Sequence, residues 1–346
     1  MNHFSKILGP LMVLSLPFSV VSCRGKDKAS PEAKGVAAQP GLVGLEELIQ
    51  FRNDTRQLYN TRKFAELEAL AGKIRSAKER FPGGTWKIHQ FYDCMECQDD
   101  EPESMWTLHE KIHQDWESKY PQSSTAQIAK AQFYIGYAWH ARSADYADKV
   151  TEEGWKLFRE RLAQARTILD QSKSLTPACP VWWSSYQTVA LGQQWDRADY
   201  DALFRDAVKF EPEFYLYDCS RAKYLLPRWH GKPGDWEKAA DEEIVLRGEV
   251  GHQIYASVVD DQAGYYGNVF QETTASWRKT RKGYDELITR FPKSAALLNH
   301  YCRLACLAGD QEQAKKLFGR IGGNEVPNAW HKKEFARAKA WAISGK

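Results

Sequence analysis

From Leu42 onward, apolar residues recur at spacings of three and four, and proline interrupts that rhythm at intervals. The rhythm predicts amphipathic helices that must bury one stripe against a neighbour, and few stretches alternate as strands do. The clearest helical stretches are Phe64 to Ile74, Gln127 to Trp139, Trp155 to Leu169, Tyr200 to Phe210, Phe214 to Leu226, Trp236 to Leu246, Arg281 to Phe291, Leu297 to Ala308 and Gln311 to Ile321. In one of them, Trp155, Leu157, Phe158, Leu162, Ala165, Ile168 and Leu169 share a broad face, while Lys156, Arg159, Glu160 and Arg166 lie mostly elsewhere. The interruptions have a form of their own. An aromatic or apolar residue stands close before proline at Phe81-Pro82, Tyr120-Pro121, Leu175-Thr176-Pro177, Phe210-Glu211-Pro212 and Phe291-Pro292, at intervals of 39, 56, 35 and 80 residues. Proline cannot continue a helix but tolerates the start of the next one. A period of roughly 35 to 40 residues with two helices per period predicts an all-α fold, a solenoid of antiparallel helix pairs.

The last period carries a resemblance. Leu298, Tyr301, Cys302 and Ala305, then Gly309, then Ala314 and Phe318, with Pro327 closing, resemble a tetratricopeptide repeat. In that family small residues let paired helices approach and the glycine sits at the turn between them; Cys302 stands here where the family has Gly or Ala. Phe291-Pro292-Lys293-Ser294 resembles a boundary of tetratricopeptide lipoproteins, and Tyr120-Pro121-Gln122-Ser123 echoes it. The resemblance is good over Trp277 to Trp341 and approximate over Phe64 to Leu246. The chain also resembles an uncharacterised family of bacterial repeat proteins, a likeness that implies no activity.

The N-terminus predicts a destination. A short segment with one lysine precedes an apolar run, Ile7 to Val21, that is too short and too interrupted by Pro10 and Pro17 to stay in a bilayer; it reads as a signal peptide. The run stops at Val20-Val21-Ser22-Cys23, which resembles a bacterial lipobox and implies lipidation of Cys23 as the first residue of the mature chain. Arg24 is not the Asp that the family uses for inner-membrane retention, so an outer-membrane anchor facing the periplasm is expected. Arg24 to Gly41 has no aromatics and is rich in Ala, Gly, Pro and charge, the composition of a flexible tether that spans on the order of 25 Å. The domains are then a signal peptide over residues 1–22, a lipid-anchored tether over 23–44 and a helical body over 45–346. The formal charge of +3 is used up by Lys6 and the two-charge excess of the tether, which leaves the body neutral. A neutral body has no footprint for a nucleic-acid backbone.

Four features bear on chemistry. His109-Glu110-Lys111-Ile112-His113 is an H-E-x-x-H, which on a helix can set two histidines on one zinc with the glutamate as general base. Helical angles place both histidines in the apolar arc with Met105, Ile112 and Trp116, the position of a buried metal site or of core histidines. Lys111 and Asp115 are unlike the residues zincins carry there, and Glu152 or Glu153 is the only guess at a third ligand. Core or groove histidines are therefore the expectation, with no metal and no cofactor, and a zinc hydrolase is the alternative. Cys94-x-x-Cys97 is compatible with a disulfide, a redox pair or half a zinc site, and nothing in the sequence chooses; Cys302 and Cys306 read as packed thiols. The acidic runs Asp99-Asp100-Glu101 and Asp260-Asp261 read as solvated loops. Thirteen Trp are spread along the body, and Trp also anchors peptide and sugar ligands. Trp182 and Trp183 are adjacent and cannot both face one core, so one is expected to line a groove and both are candidate binding residues. Arg228, Trp229 and Trp236 lie in or beside a Pro/Gly connection, with Asp235 as its expected helix N-cap, and form the expected binding loop. The expectation for function is a lipid-anchored helical-repeat protein that binds a protein or peptide partner without catalysis, with a Trp-lined glycan binder as a further alternative.

Overall fold

A computed structural model describes residues 42–143, 147–175, 178–330 and 333–344. The signal peptide, Cys23, the tether up to Gly41 and Pro177 lie outside the described residues. Among those described, the chain is all-helical: sixteen α-helices, three 3₁₀ turns and no strand.

The chain divides into two compact units. The first holds Leu48–Phe81 and Thr85–Ala239. Its helices are α1 (Glu46–Asn60), α2 (Phe64–Ser76), α3 (Lys87–Asp93), α4 (Glu103–Lys119), α5 (Ser124–Arg142), α6 (Glu152–Ser172), α7 (Pro180–Gly192), α8 (Arg197–Phe210) and α9 (Leu216–Tyr224). The second holds residues 42–47, Pro82–Gly84 and the chain from Ala240 on. The division falls inside α10 (Asp235–Leu246), and the second unit continues with α11 (Gly251–Gln262), α12 (Val269–Glu272), α13 (Trp277–Arg290), α14 (Ala295–Leu307), α15 (Gln311–Ile321) and α16 (Glu334–Ser344).

The nine helical stretches read from the sequence all appear, and the proline punctuation has a physical basis that two boundaries share. After α4, Tyr120 leaves the helix at φ −132°, ψ 63° with its N–H bonded to the Trp116 carbonyl; Pro121 then blocks continuation, and the Ser123 hydroxyl accepts from the Ala126 N–H to cap α5. After α13, Phe291 leaves at φ −125°, ψ 65° with its N–H on the Leu287 carbonyl, Pro292 follows, and the Ser294 hydroxyl accepts from the Leu297 N–H to cap α14. The aromatic-Pro-x-Ser string is thus one device that stops a helix and starts the next within four residues.

Within the first unit successive helices pack on one another: α4 on α5, α5 on α6, α6 on α7 and α7 on α8, with α5 also touching α7 and α7 touching α9. The α4–α5 pair runs antiparallel, because Glu103, Glu110 and Glu117 meet Tyr137, Tyr134 and Lys130 in reverse order. The α6–α7 pair does the same. A Cβ at Gly192 would stand 2.6 Å from Leu162, and Tyr186 donates to Asp170 at 2.6 Å. Trp106, Trp116, Tyr59 and Phe91 are fully buried in this core, with Trp116 stacked on Phe64 at 5.4 Å.

In the second unit α11 packs on α13, α13 on α14, α14 on α15 and α15 on α16. Gly309, at φ +73°, makes the turn between α14 and α15, where left-handed backbone favours glycine, and Asp310 caps α15. Cys302 is fully buried with its thiol 3.7 Å from the Ala314 carbonyl, so a small side chain does sit where these helices meet. The end of the expected tether joins this unit: Val43 pairs with Ser294 in an isolated bridge. The Asp260-Asp261 run, expected as a solvated loop, lies on α11, and Asp260 pairs with His300 at 2.9 Å because a histidine on α14 faces it.

Candidate functional site

The H-E-x-x-H residues lie on α4 and both histidines are buried, each 2% exposed. They do not frame an open position. The Tyr59 hydroxyl, from α1, sits between them, 3.2 Å from His109 Nδ1 and 3.1 Å from His113 Nε2. Burial above all, with the charges of His109 and Lys130, pushes His113 down to about 3, so it stays neutral in the fold. Glu110 faces another way. Adjacent residues on a helix point about 100° apart, and the Glu110 carboxylate accepts from the Tyr134 hydroxyl at 2.7 Å. It belongs to a row with Glu103, which accepts from the Tyr137 hydroxyl, and Glu117, which pairs with Lys130 at 2.5 Å. Glu152 and Glu153, the guessed third ligands, are exposed in the first turn of α6.

His109 instead turns toward a cluster that the motif did not indicate. Between α3 and α4, Cys97 and Glu101 come together with His109 so that one ligand atom from each lies within 4.8 Å of the others. The Cys97 thiol donates to Glu101 Oε2 at 2.8 Å, and the Gln98 N–H donates to the same oxygen at 2.9 Å. Asp99 and Asp100 are exposed as expected, but Glu101 is turned inward by these two donors. Burial, then the Glu101 hydrogen bond and charge, drive the Cys97 thiol well above its ordinary value. Burial opposes the ionisation of Glu101, yet the Cys97 and Gln98 hydrogen bonds and the nearby Arg56 charge outweigh it and hold the carboxyl below the usual range. His109 is lowered by burial and by Arg56, against the pull of Glu101 and the Met95 carbonyl.

One face of α1 fixes this loop. Arg56 donates to the Cys94 and Glu96 carbonyls at 3.0 and 3.1 Å, and Arg52 pairs with Asp93 and donates to Gln90. Cys94 and Cys97 are both free and have separate partners: the Cys94 thiol donates to the Phe91 carbonyl, and burial first of all pushes it up to about 12.

The expected binding loop is built into the protein. Trp236 is 1% exposed, and Trp229 meets Trp139 edge-on at 5.7 Å. The Arg142 guanidinium, itself buried, lies over Trp139, Trp155 and Trp229 at 5.6, 5.3 and 6.0 Å, so a protein cation fills the cage those rings form. Asp235 is the first residue of α10, and its carboxylate accepts from the Lys232 N–H in the preceding loop. Arg228 is half-buried. Trp182 is buried with its indole N–H on the Leu169 carbonyl at 3.0 Å, and Trp183 is half-buried against it. None of the thirteen Trp is exposed.

A surface cleft of about 420 Å³ opens between α5 and α6, lined by Lys130, Tyr134, Ala163, Gln164, Thr167 and Ile168. Sequence reading missed it, because its walls become neighbours only once the two helices pair. Ala163, Gln164 and Thr167 are exposed, while Ile168 and Tyr134 form its apolar floor. No family model and no curated protein matches the sequence.

Proposed function

We propose that the chain is an exported, lipid-anchored helical-repeat protein that binds a segment of a protein or peptide partner in the α5–α6 cleft. The cleft is the observation that carries this reading. Its apolar floor suits one buried side chain, and Gln164 and Thr167 on its rim suit the polar groups of an extended segment. The Glu103, Glu110 and Glu117 row fixes α4 against α5, so the near wall is rigid and little ordering accompanies binding. Hairpin-by-hairpin packing in each unit and the tetratricopeptide-like last period support a repeat architecture, and the charge-neutral body argues for a protein rather than a nucleic-acid partner. In this reading contact with the membrane comes through the lipid on Cys23 alone, at the outer membrane facing the periplasm. No described helix is long and apolar enough to cross a bilayer.

The test is a photo-crosslinking residue at Gln164 of the chain in its native envelope, with Arg205 on α8 as control site. A discrete crosslinked partner is expected from Gln164 and not from Arg205. It is expected to disappear in Ala163→Glu, which puts a charge in the cleft without touching the core. Equal crosslinking from both sites, or persistence in Ala163→Glu, would count against the reading.

A further inference from the structure

We infer that Cys97, Glu101 and His109 form a binding site for one zinc-class divalent cation, with the fourth position open to solvent. This site shares one histidine with the H-E-x-x-H but is otherwise a different set of ligands, and it does not depend on the α5–α6 cleft.

The donor set is a thiol, a carboxylate and an imidazole, the three protein ligand types that zinc takes. Bonds of about 2.0 to 2.3 Å in a tetrahedron place ligand atoms roughly 3.3 to 3.8 Å apart. The three atoms here lie within 4.8 Å of one another, so contraction of roughly 1.5 Å at most closes the site. Cys97 and Glu101 are already closer than that, at 2.8 Å, because a proton lies between them. A cation replaces that proton: the S–H bond breaks, the proton leaves to solvent, and a sulfur lone pair binds the metal, with no change of oxidation state. Two negative ligands then neutralise the ion. The arrangement around the ligands is already in place. The Tyr59 hydroxyl lies 3.2 Å from His109 Nδ1, the kind of second partner that fixes a ligating ring. Arg56 grips the carbonyls on either side of Met95 and sets the loop that presents Cys97. Cys97 and His109 are buried, whereas the Glu101 side chain keeps a quarter of its surface in water and provides the way in.

The probe is Co(II), added to the metal-free, reduced full chain at about pH 7.5. One equivalent is expected to produce a thiolate-to-cobalt charge-transfer band in the near ultraviolet, intense visible bands of tetrahedral cobalt, and release of about one proton per ion. Cys97→Ser is expected to abolish the charge-transfer band. Glu101→Gln is expected to weaken binding by at least the roughly 10- to 100-fold that even an outer partner's loss costs. Cys94→Ser and His113→Phe are expected to keep the band, and they control for folding in the same core. Absence of the band in the wild-type chain, its survival in Cys97→Ser, or its loss in Cys94→Ser with circular dichroism unchanged would overturn the assignment. So would a Cys94–Cys97 disulfide in protein isolated from the envelope without reductant, since that bond removes the ligand sulfur.

Discussion

Burial holds His113 neutral in the fold, and replacing it with phenylalanine isolates that effect. The ring is 2% exposed, packed 5.2 Å from Phe133 and 5.3 Å from Tyr59, with its pKa at about 3 in the fold against an ordinary 6.5. A histidine lowered in this way binds its proton in the unfolded chain first. Stability is therefore fully present above about pH 6.5 and falls as the pH drops through the window from about 6.5 to about 3, by up to about 1.4 kcal/mol per pH unit. Integrating over that window, the step from about pH 7.5 to about pH 5 costs the wild-type chain about 2 kcal/mol through this residue alone. Phenylalanine fills much the same volume and carries no proton. At neutral pH His113→Phe loses one hydrogen bond to Tyr59, about 1 kcal/mol, while Tyr59 keeps His109 as partner. At about pH 5 the variant equals or exceeds the wild type. The assay is urea unfolding followed by far-ultraviolet circular dichroism at both pH values. His109 and His89, also lowered chiefly by burial, remain in the variant and leave part of the acid loss in place. If wild type and variant lose the same stability between the two pH values, His113 is not held neutral and the burial argument fails.

Other perturbations test other parts of the fold. Gly283→Ala is expected to cost about 2 kcal/mol or more in urea unfolding, because the added Cβ would lie 1.9 Å from the His252 carbonyl where α13 crosses α11, a clash that outweighs alanine's gain in helix propensity. Ser294→Ala removes an N-cap and is expected to cost about 1 kcal/mol in the same measurement, and Ser123→Ala more than that, because its hydroxyl also donates to Glu68 at 2.6 Å. His300→Asn breaks the pair with Asp260. His300 is raised by Asp260 against the effect of burial, so its stabilisation is present below about pH 6.5 and is lost as pH rises through the raised value. Asp260 is lowered by His300 against the effect of burial, so its share is present above about pH 3.8 and is lost as pH falls through the lowered value. The variant's deficit in stability should therefore be larger at about pH 5.5 than at about pH 9, and an equal deficit at both would mean the pair is not ionic.

What could be read from the sequence depended on the range of the interaction that fixes it. The helices of high amphipathic contrast, such as α13 and α15, were legible because each buries one stripe, and the aromatic-Pro-x-Ser boundaries were legible because both hydrogen bonds of the device close within a few residues. Helix α7 escaped for the opposite reason: Pro180, Val181, Trp182, Ser185, Tyr186, Gln187, Val189, Ala190 and Leu191 are all buried, so it has neighbours on several sides and no contrasting face.

The H-E-x-x-H shows the same limit at the level of chemistry. Helical angles placed both histidines inside the core, and that much was local. What the histidines face was not local, since Tyr59 reaches them from 50 and 54 residues away, and Glu110 is held by a tyrosine on the next helix. The Cys97, Glu101 and His109 cluster lies furthest from sequence reading. Two of its members sit in a loop with no regular pattern, where Asp99, Asp100 and Glu101 look like one solvated run, and the loop takes its form from Arg52 and Arg56 some 40 residues earlier. A motif is a statement about one helix. A ligand set here is a statement about one loop, the helix after it and the helix that grips both, and only the fold brings those three together.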